Sequence, residues 1–247
     1  MQPPILPLRK LVQALQLCGV GTPLFLALSA GAHAARPMVT DDARIVDPGA
    51  CQLETWRRGN RGSYEFWALP ACNFTGNLEV TVGGTDQPEA GGGRATDFVL
   101  QGKMLFRSLE TNGYSYGLVV GGINHSDRSV RQESVGSLYG YVPISLSFAD
   151  DRLIVHVNLG VLQNRDDGTK ASTWGIGGEL NFTPRVALIA ETYGNNHVQP
   201  FVQGGLRIWI VPNCFQIDTT VGAQSGNFGP TRWWTVGVLL ISPPFLR

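Results

Sequence analysis

The run "SLYGYVPISLSFADDRLIVHVNLGVL", Ser137 to Leu162, alternates with a period of two in two successive stretches. Leu138, Val142, Ile144, Leu146 and Phe148 share one phase, with Ser137, Tyr139, Tyr141, Ser145 and Ser147 in the other. After Ala149, Asp150 and Asp151 the pattern restarts with Leu153, Val155, Val157, Leu159 and Val161, and His156 and Asn158 fall between them. Successive side chains of an extended chain point to opposite faces. The run therefore reads as two strands joined by a tight turn, each with one uniformly apolar face. A chain built from many such strands is confined to two architectures. A soluble sandwich or filled barrel turns the apolar face inward, whereas a membrane barrel turns it outward against lipid.

The same alternation recurs downstream of residue 50, where no segment keeps a helical period. Strands are expected near 51–58, 63–70, 77–84, 95–107, 113–123, 136–149, 152–162, 171–183, 185–193, 200–211, 214–223 and 231–242. In 95–107, Phe98, Leu100, Met104 and Phe106 oppose Asp97, Gln101 and Lys103; in 200–211, Val202, Leu206, Ile208 and Ile210 oppose Gln203 and Arg207. The pattern is weakest in the first two strands and in 185–193. Neither an internal repeat nor a linker marks a second domain.

Three features choose between the two architectures. Links after strands 6, 8 and 10 are very short ("DD", "P", "PN"), whereas those after strands 3, 5, 7, 9 and 11 are longer and polar. Short turns at one end and long loops at the other is the outer-membrane arrangement. On the apolar phase, Phe106, Tyr114, Phe148, Phe182 and Phe215 fall at the turn end of their strands, and Phe98, Trp174 and Trp234 at the loop end. Two such belts match the two headgroup levels of a bilayer. The opposite phase carries Glu79, Lys103, Glu179, Glu191, Arg207 and Asp218, and His156 shares it; these seven are the lumen-lining candidates. Composition agrees: only 15% of residues are charged, against about 25% in ordinary soluble domains. The formal net charge is zero, so no basic excess points to nucleic acid.

The N-terminus has the form of an export signal. Arg9 and Lys10 precede a largely apolar stretch, and "AHA", Ala32 to Ala34, supplies the small-x-small cleavage pattern. An uncleaved membrane anchor is the rival reading, because the stretch is long enough to span. Beyond residue 34 lie Cys51, Cys72 and Cys214. Cys51 opens the first strand and Cys72 follows the second, so a disulfide between them would staple the first hairpin in an oxidising compartment. The odd count leaves one thiol unpaired, and Cys214 is the alternative partner.

Catalysis finds little support. "NHS" at 124–126 falls in a loop, and "HVN" at 156–158 faces inward and lacks a serine. Nucleophilic catalysis needs a nucleophile and a base within hydrogen-bond reach. No enzyme activity, cofactor or metal is expected.

The segment "RPMVTDDARIVDPGACQLETW", Arg36 to Trp56, carries "TDD" at Thr40 to Asp42 and "QLE" at Gln52 to Glu54. In these residues it resembles the start of an outer-membrane family linked to the meta pathway of phenol degradation. The resemblance implies a barrel that helps aromatic compounds cross. Read from the residues alone, Asp41 and Asp42 belong to a solvated periplasmic lead-in.

The expectation is thus an all-β chain: a signal peptide at 1–34, a periplasmic lead-in at 35–50, and at 51–247 an antiparallel transmembrane β-barrel of about twelve strands. Its place is the outer membrane of a Gram-negative cell. Its partners are outer-membrane lipid, the barrel-assembly machinery and a small-molecule solute. Its function is passive or facilitated passage of small molecules, apolar or aromatic ones among them. If lumen charges close the bore, it is instead a structural or surface-binding barrel.

Overall fold

The computed structural model describes residues 38–88, 94–126, 137–164 and 168–246. The signal-peptide reading at 1–34 lies outside them. Twelve antiparallel strands follow one another: β1 (Cys51–Asn60), β2 (Ser63–Asn73), β3 (Leu78–Pro88), β4 (Arg94–Arg107), β5 (Tyr114–Ser126), β6 (Ser137–Phe148), β7 (Leu153–Gln163), β8 (Lys170–Thr183), β9 (Val186–Asn195), β10 (Phe201–Val211), β11 (Phe215–Gln224) and β12 (Trp233–Ile241). Each pairs with its neighbours in sequence, and β1 pairs with β12 from Gln52↔Ile241 to Gly59↔Trp234, which closes the barrel. Every strand read from the alternation is present. Edges differ by a few residues in both directions: β3 runs on to Pro88, whereas β12 is confined to Trp233–Ile241.

The pleat sorts the side chains as a membrane barrel requires. Leu100, Val120, Leu159, Val161, Ile176 and Val221 each lie 50% or more exposed on the outer wall. Phe106, Tyr114, Phe148 and Phe182 ring this wall at the turn end, and Phe98 and Trp234 at the loop end, all exposed. Two arginines sit over outward rings at opposite ends: Arg57 lies 4.6 Å from the Tyr64 ring centre, and Arg107 lies 4.1 Å from that of Tyr114. Such pairs place a cation and an amphipathic ring where hydrocarbon gives way to water. In hydrocarbon an open sheet edge would leave peptide groups unbonded, so the β1–β12 seam is required by the same apolar surface it completes.

Register shifts fall near the turn ends of β4, β8 and β10, between Leu105 and Arg107, Asn181 and Thr183, and Trp209 and Val211. The extra residue bends each strand at the rim. The β6–β7 turn runs through three left-handed residues, Ala149, Asp150 and Asp151. The neighbouring turn supports it: Asn112 Nδ2 donates to Asp150 Oδ1 at 2.7 Å, and Thr111 Oγ1 donates to Asp151 Oδ2 at 2.6 Å.

Cys51 and Cys72 face each other across β1 and β2 and are joined by a disulfide. Cys214 is disulfide-bonded as well in the full-length chain, whereas the expectation of one unpaired thiol concerns the chain cleaved after residue 34.

Two outcomes follow from this wall. Ile176 lies at the middle of β8 facing out, so Ile176→Arg is expected to destabilise the folded barrel by about 2–4 kcal/mol, read by denaturant unfolding in lipid vesicles. The Cys51–Cys72 bridge spans a sequence separation of 21 residues. Replacing both cysteines by serine is expected to cost about 3 kcal/mol in the same assay.

Candidate functional site: the barrel lumen

All seven charged or titratable candidates of the inward phase are enclosed, from Asp218 at 0% exposure to Glu191 at 6%. Arg207 on β10 lies opposite Asp218 on β11, and their side chains meet at 3.0 Å. The same guanidinium donates through Nη1 to Glu179 Oε1 at 2.8 Å, and Gln216 Nε2 supports Asp218 at 3.1 Å. Burying such charges is costly, and each is held here by several donors or acceptors. Lys103 does not join this cluster. Its ammonium lies 3.0 Å from Asp41 and 3.2 Å from Asp42, which precede the first strand.

Residues 38–50 therefore are not a solvated lead-in. Thr40, Asp41, Asp42, Ala43, Arg44, Val46 and Ala50 are all buried, Ala43 completely. The segment threads the lumen, and side chains on the barrel wall take up its backbone groups. Glu191 accepts the Val39 N–H at 2.7 Å through one oxygen and the Thr40 N–H at 2.6 Å through the other. Gln203 Nε2 steadies that carboxylate from β10. Asn158 accepts the Asp41 N–H at 2.6 Å and donates to the Asp41 carbonyl at 2.7 Å. Ser145 Oγ accepts the Ala43 N–H at 2.8 Å, and Glu79 the Val46 N–H at 3.1 Å. Its side chains are read too: Tyr141 donates to Asp41 at 2.7 Å, and Arg44 lies 3.3 Å from Glu179. Two inward glycines on β8 make room. A Cβ at Gly175 would lie 2.6 Å from Thr40 Oγ1, and one at Gly177 would lie 2.6 Å from Met38 Cε.

The register exposes a pairing that sequence spacing hid. Ser145 and His156 are cross-strand partners on β6 and β7. His156 Nδ1 lies 2.8 Å from Ser145 Oγ, and its Nε2 lies 3.0 Å from Glu179 Oε1. This chain of contacts has the connectivity of an acyl-transfer triad. Its surroundings do not suit that chemistry. Ser145 is completely buried under Ala43, so no substrate carbonyl reaches its oxygen. Glu179 is already engaged by Arg207 and Arg44. In this arrangement the three residues hold the threading segment. The signal available in the sequence was the short "ADD" turn, which sets the β6–β7 register and so places Ser145 opposite His156.

The segment divides the lumen. On the turn side lies a cavity of about 840 Å³ bounded by residues such as Arg44, Asp47, Leu105, Asp151 and Trp209. On the loop side lies one of about 460 Å³, and its wall is aromatic. Trp56 and Trp67 stack there at 5.4 Å, Tyr139 and Tyr141 at 6.2 Å, and Tyr193 on Phe201 at 5.5 Å. Arg58 lies 4.4 Å from the Trp233 ring centre. Tyr139 and Tyr141 were already legible on the inward phase of β6, whereas Trp56 and Trp67 were missed because inward rings blur the alternation of β1 and β2. Between the two cavities, beside Asp41, Asp42 and Lys103, a gap of only about 20 Å³ remains.

An up-and-down barrel of twelve strands, greasy outside and charged inside, has the fold of the outer-membrane porins. It is similar to the KdgM porin determined in complex with disordered oligogalacturonate, with 10% identity over 77% of this chain and 98% of that one and a TM-score of 0.56. It is likewise similar to the NanC porin, with 9% identity over 77% of this chain and 98% of that one and a TM-score of 0.54. No curated protein matches the sequence. A family model does match, over residues 23–241, and the chain belongs to that family, described as uncharacterised conserved protein UCP029691.

The Arg207 cluster makes a direct forecast. Arg207→Met leaves Asp218 and Glu179 enclosed with a shared cation gone, so unfolding in lipid vesicles is expected to show a loss of about 3–5 kcal/mol.

Proposed function

We propose that this chain is an outer-membrane barrel that lets small molecules cross. In this reading residues 1–34 are a cleaved export signal, the barrel-assembly machinery inserts residues 51–247, and the seven enclosed side chains of the inward phase line the route. One observation carries the reading: a lipid-suited outer wall encloses a polar lumen with cavities of about 460 Å³ and 840 Å³ at its two ends. Closure of the sheet supports a bilayer setting, and a charged interior supports traffic governed by geometry and lumen electrostatics.

The aromatic wall of the loop-side cavity supports apolar or ring-bearing solutes, since stacked indoles and phenols offer flat faces beside few charges. The "TDD" and "QLE" resemblance to the phenol meta-pathway family leans the same way. A non-conducting structural or surface-binding barrel is the second reading, favoured by the segment at 38–50 that occupies the waist.

Purified barrel reconstituted in planar bilayers decides between them. Discrete openings, together with swelling of proteoliposomes in small neutral solutes, are expected for passage. A barrel that stays silent under every applied voltage and fails to admit solutes is a scaffold.

A further inference from the structure

The segment at 38–46 has its backbone held, among the described residues, by side chains rather than by ladder bonds. Among the described residues, none of the backbone–backbone bonds outside the strand ladders involves it. The N–H of Arg44 goes to Asp42 within the segment, and five others are taken by side chains of the wall: Glu191 for residues 39 and 40, Asn158 for 41, Ser145 for 43 and Glu79 for 46. Those four come from β9, β7, β6 and β3, so they descend the lumen as a set of acceptors for an extended chain. Buried peptide groups must be bonded, and here the barrel wall supplies the partners without adding a strand.

Identity is read as well as backbone. Lys103 spans two successive carboxylates, Asp41 and Asp42, and Tyr141 adds a donor to the first. The completely enclosed Ala43 demands a small residue next. Glu179 meets the cation of Arg44. Below the segment a turn holds its base: Ala50 N–H donates to the Asp47 carbonyl at 2.9 Å, and Gly49 N–H donates to the Asn73 carbonyl at 2.8 Å. Gly49 takes a φ of 76°, a conformation costly for any residue with a Cβ. Residues 38–44 can therefore leave the lumen about this foot, where Val46 and Ala50 stay packed, without breaking a single ladder bond.

We propose that the barrel waist is a recognition site for extended peptide with the order acidic, acidic, small, basic. The chain's own residues 38–46 fill it in cis. Departure and return of this segment open and shut the bore. The site stands independently of the passage reading; only its consequence for current rests on that reading.

A variant that weakens the resident peptide but leaves the wall intact provides the test. Asp41→Ala, Asp42→Ala and Arg44→Ala are combined in the full chain, and heat-dependent gel mobility identifies folded barrel. A fluorescently labelled synthetic peptide of residues 38–48 is then titrated by anisotropy. It is expected to bind this variant at least about a hundredfold more tightly than the native chain, whose site is filled, and than an order-scrambled peptide meets the variant. In planar bilayers the variant is expected to pass more current than the native chain, and the peptide to suppress it. Equal binding of native and scrambled peptides, or none, would overturn the proposal. Saturable, order-specific binding to a barrel that never conducts upholds the site and defeats the passage reading. Gly175→Leu is a second route that leaves every charge in place while crowding Thr40. There the segment is expected to be expelled, and trypsin to cut after Arg44 at least about tenfold faster than in the native chain. Protection equal to native in that variant sinks the idea.

Discussion

Strands β1 and β12 are the two ends of the sheet, and pairing them removes the last row of unbonded peptide groups. Everything else in this molecule depends on that closure. An open edge in hydrocarbon leaves N–H and C=O groups with no water to bond them, at several kcal/mol each. Once the sheet is closed, the pleat gives every strand an inside and an outside. The outer wall then tolerates Leu, Val and Ile at half exposure or more, which would be a liability on a soluble protein. The inner wall becomes a sealed compartment, and charges placed there must find one another.

How they find one another explains the lumen. Arg207, Asp218 and Glu179 lie on the nearby strands β10, β11 and β8 and meet one another along one side of the lumen. Lys103 has no such arrangement with them and is matched by Asp41 and Asp42 of the threading segment. That segment is thus part of the charge balance of the interior as well as an obstruction in it. At its base, Val46 and Ala50 pack with Leu239 and Ile241, a small apolar cluster on the turn side. Apolar packing at the hinge divides the segment into an anchored foot and a part held mainly by side-chain hydrogen bonds and ion pairs, with Met38 and Ala43 enclosed among them.

The serine, histidine and glutamate at 145, 156 and 179 illustrate how context governs chemistry. Their distances would suit nucleophilic catalysis. Enclosure of Ser145 beneath a peptide N–H makes them an acceptor and its supports instead. The loop-side cavity differs again: its rings make few polar demands, and at about 460 Å³ it has room for a ligand of modest size.

Period-two alternation, the asymmetry of turns and loops and the low charge were enough, as sequence, to specify an outward-greasy barrel of twelve strands. Those signals are local, because the pleat converts every second residue into one face whatever the partner strand is. The Cys51–Cys72 pair was legible for a similar reason, since one short hairpin sets its register. The Ser145–His156 pair, although missed, lay within reach of the same hairpin reasoning. Two things were not legible: Lys103 with Asp41 and Asp42, and Glu191 with the backbone at 39 and 40, join residues whose separation in sequence carries no information about distance. Asp41 and Asp42 looked like solvated acids because solvation is the cheapest fate of a carboxylate outside a strand. Only the closed barrel, by offering an enclosed ammonium and room beside Gly175 and Gly177, made the interior the better place for them.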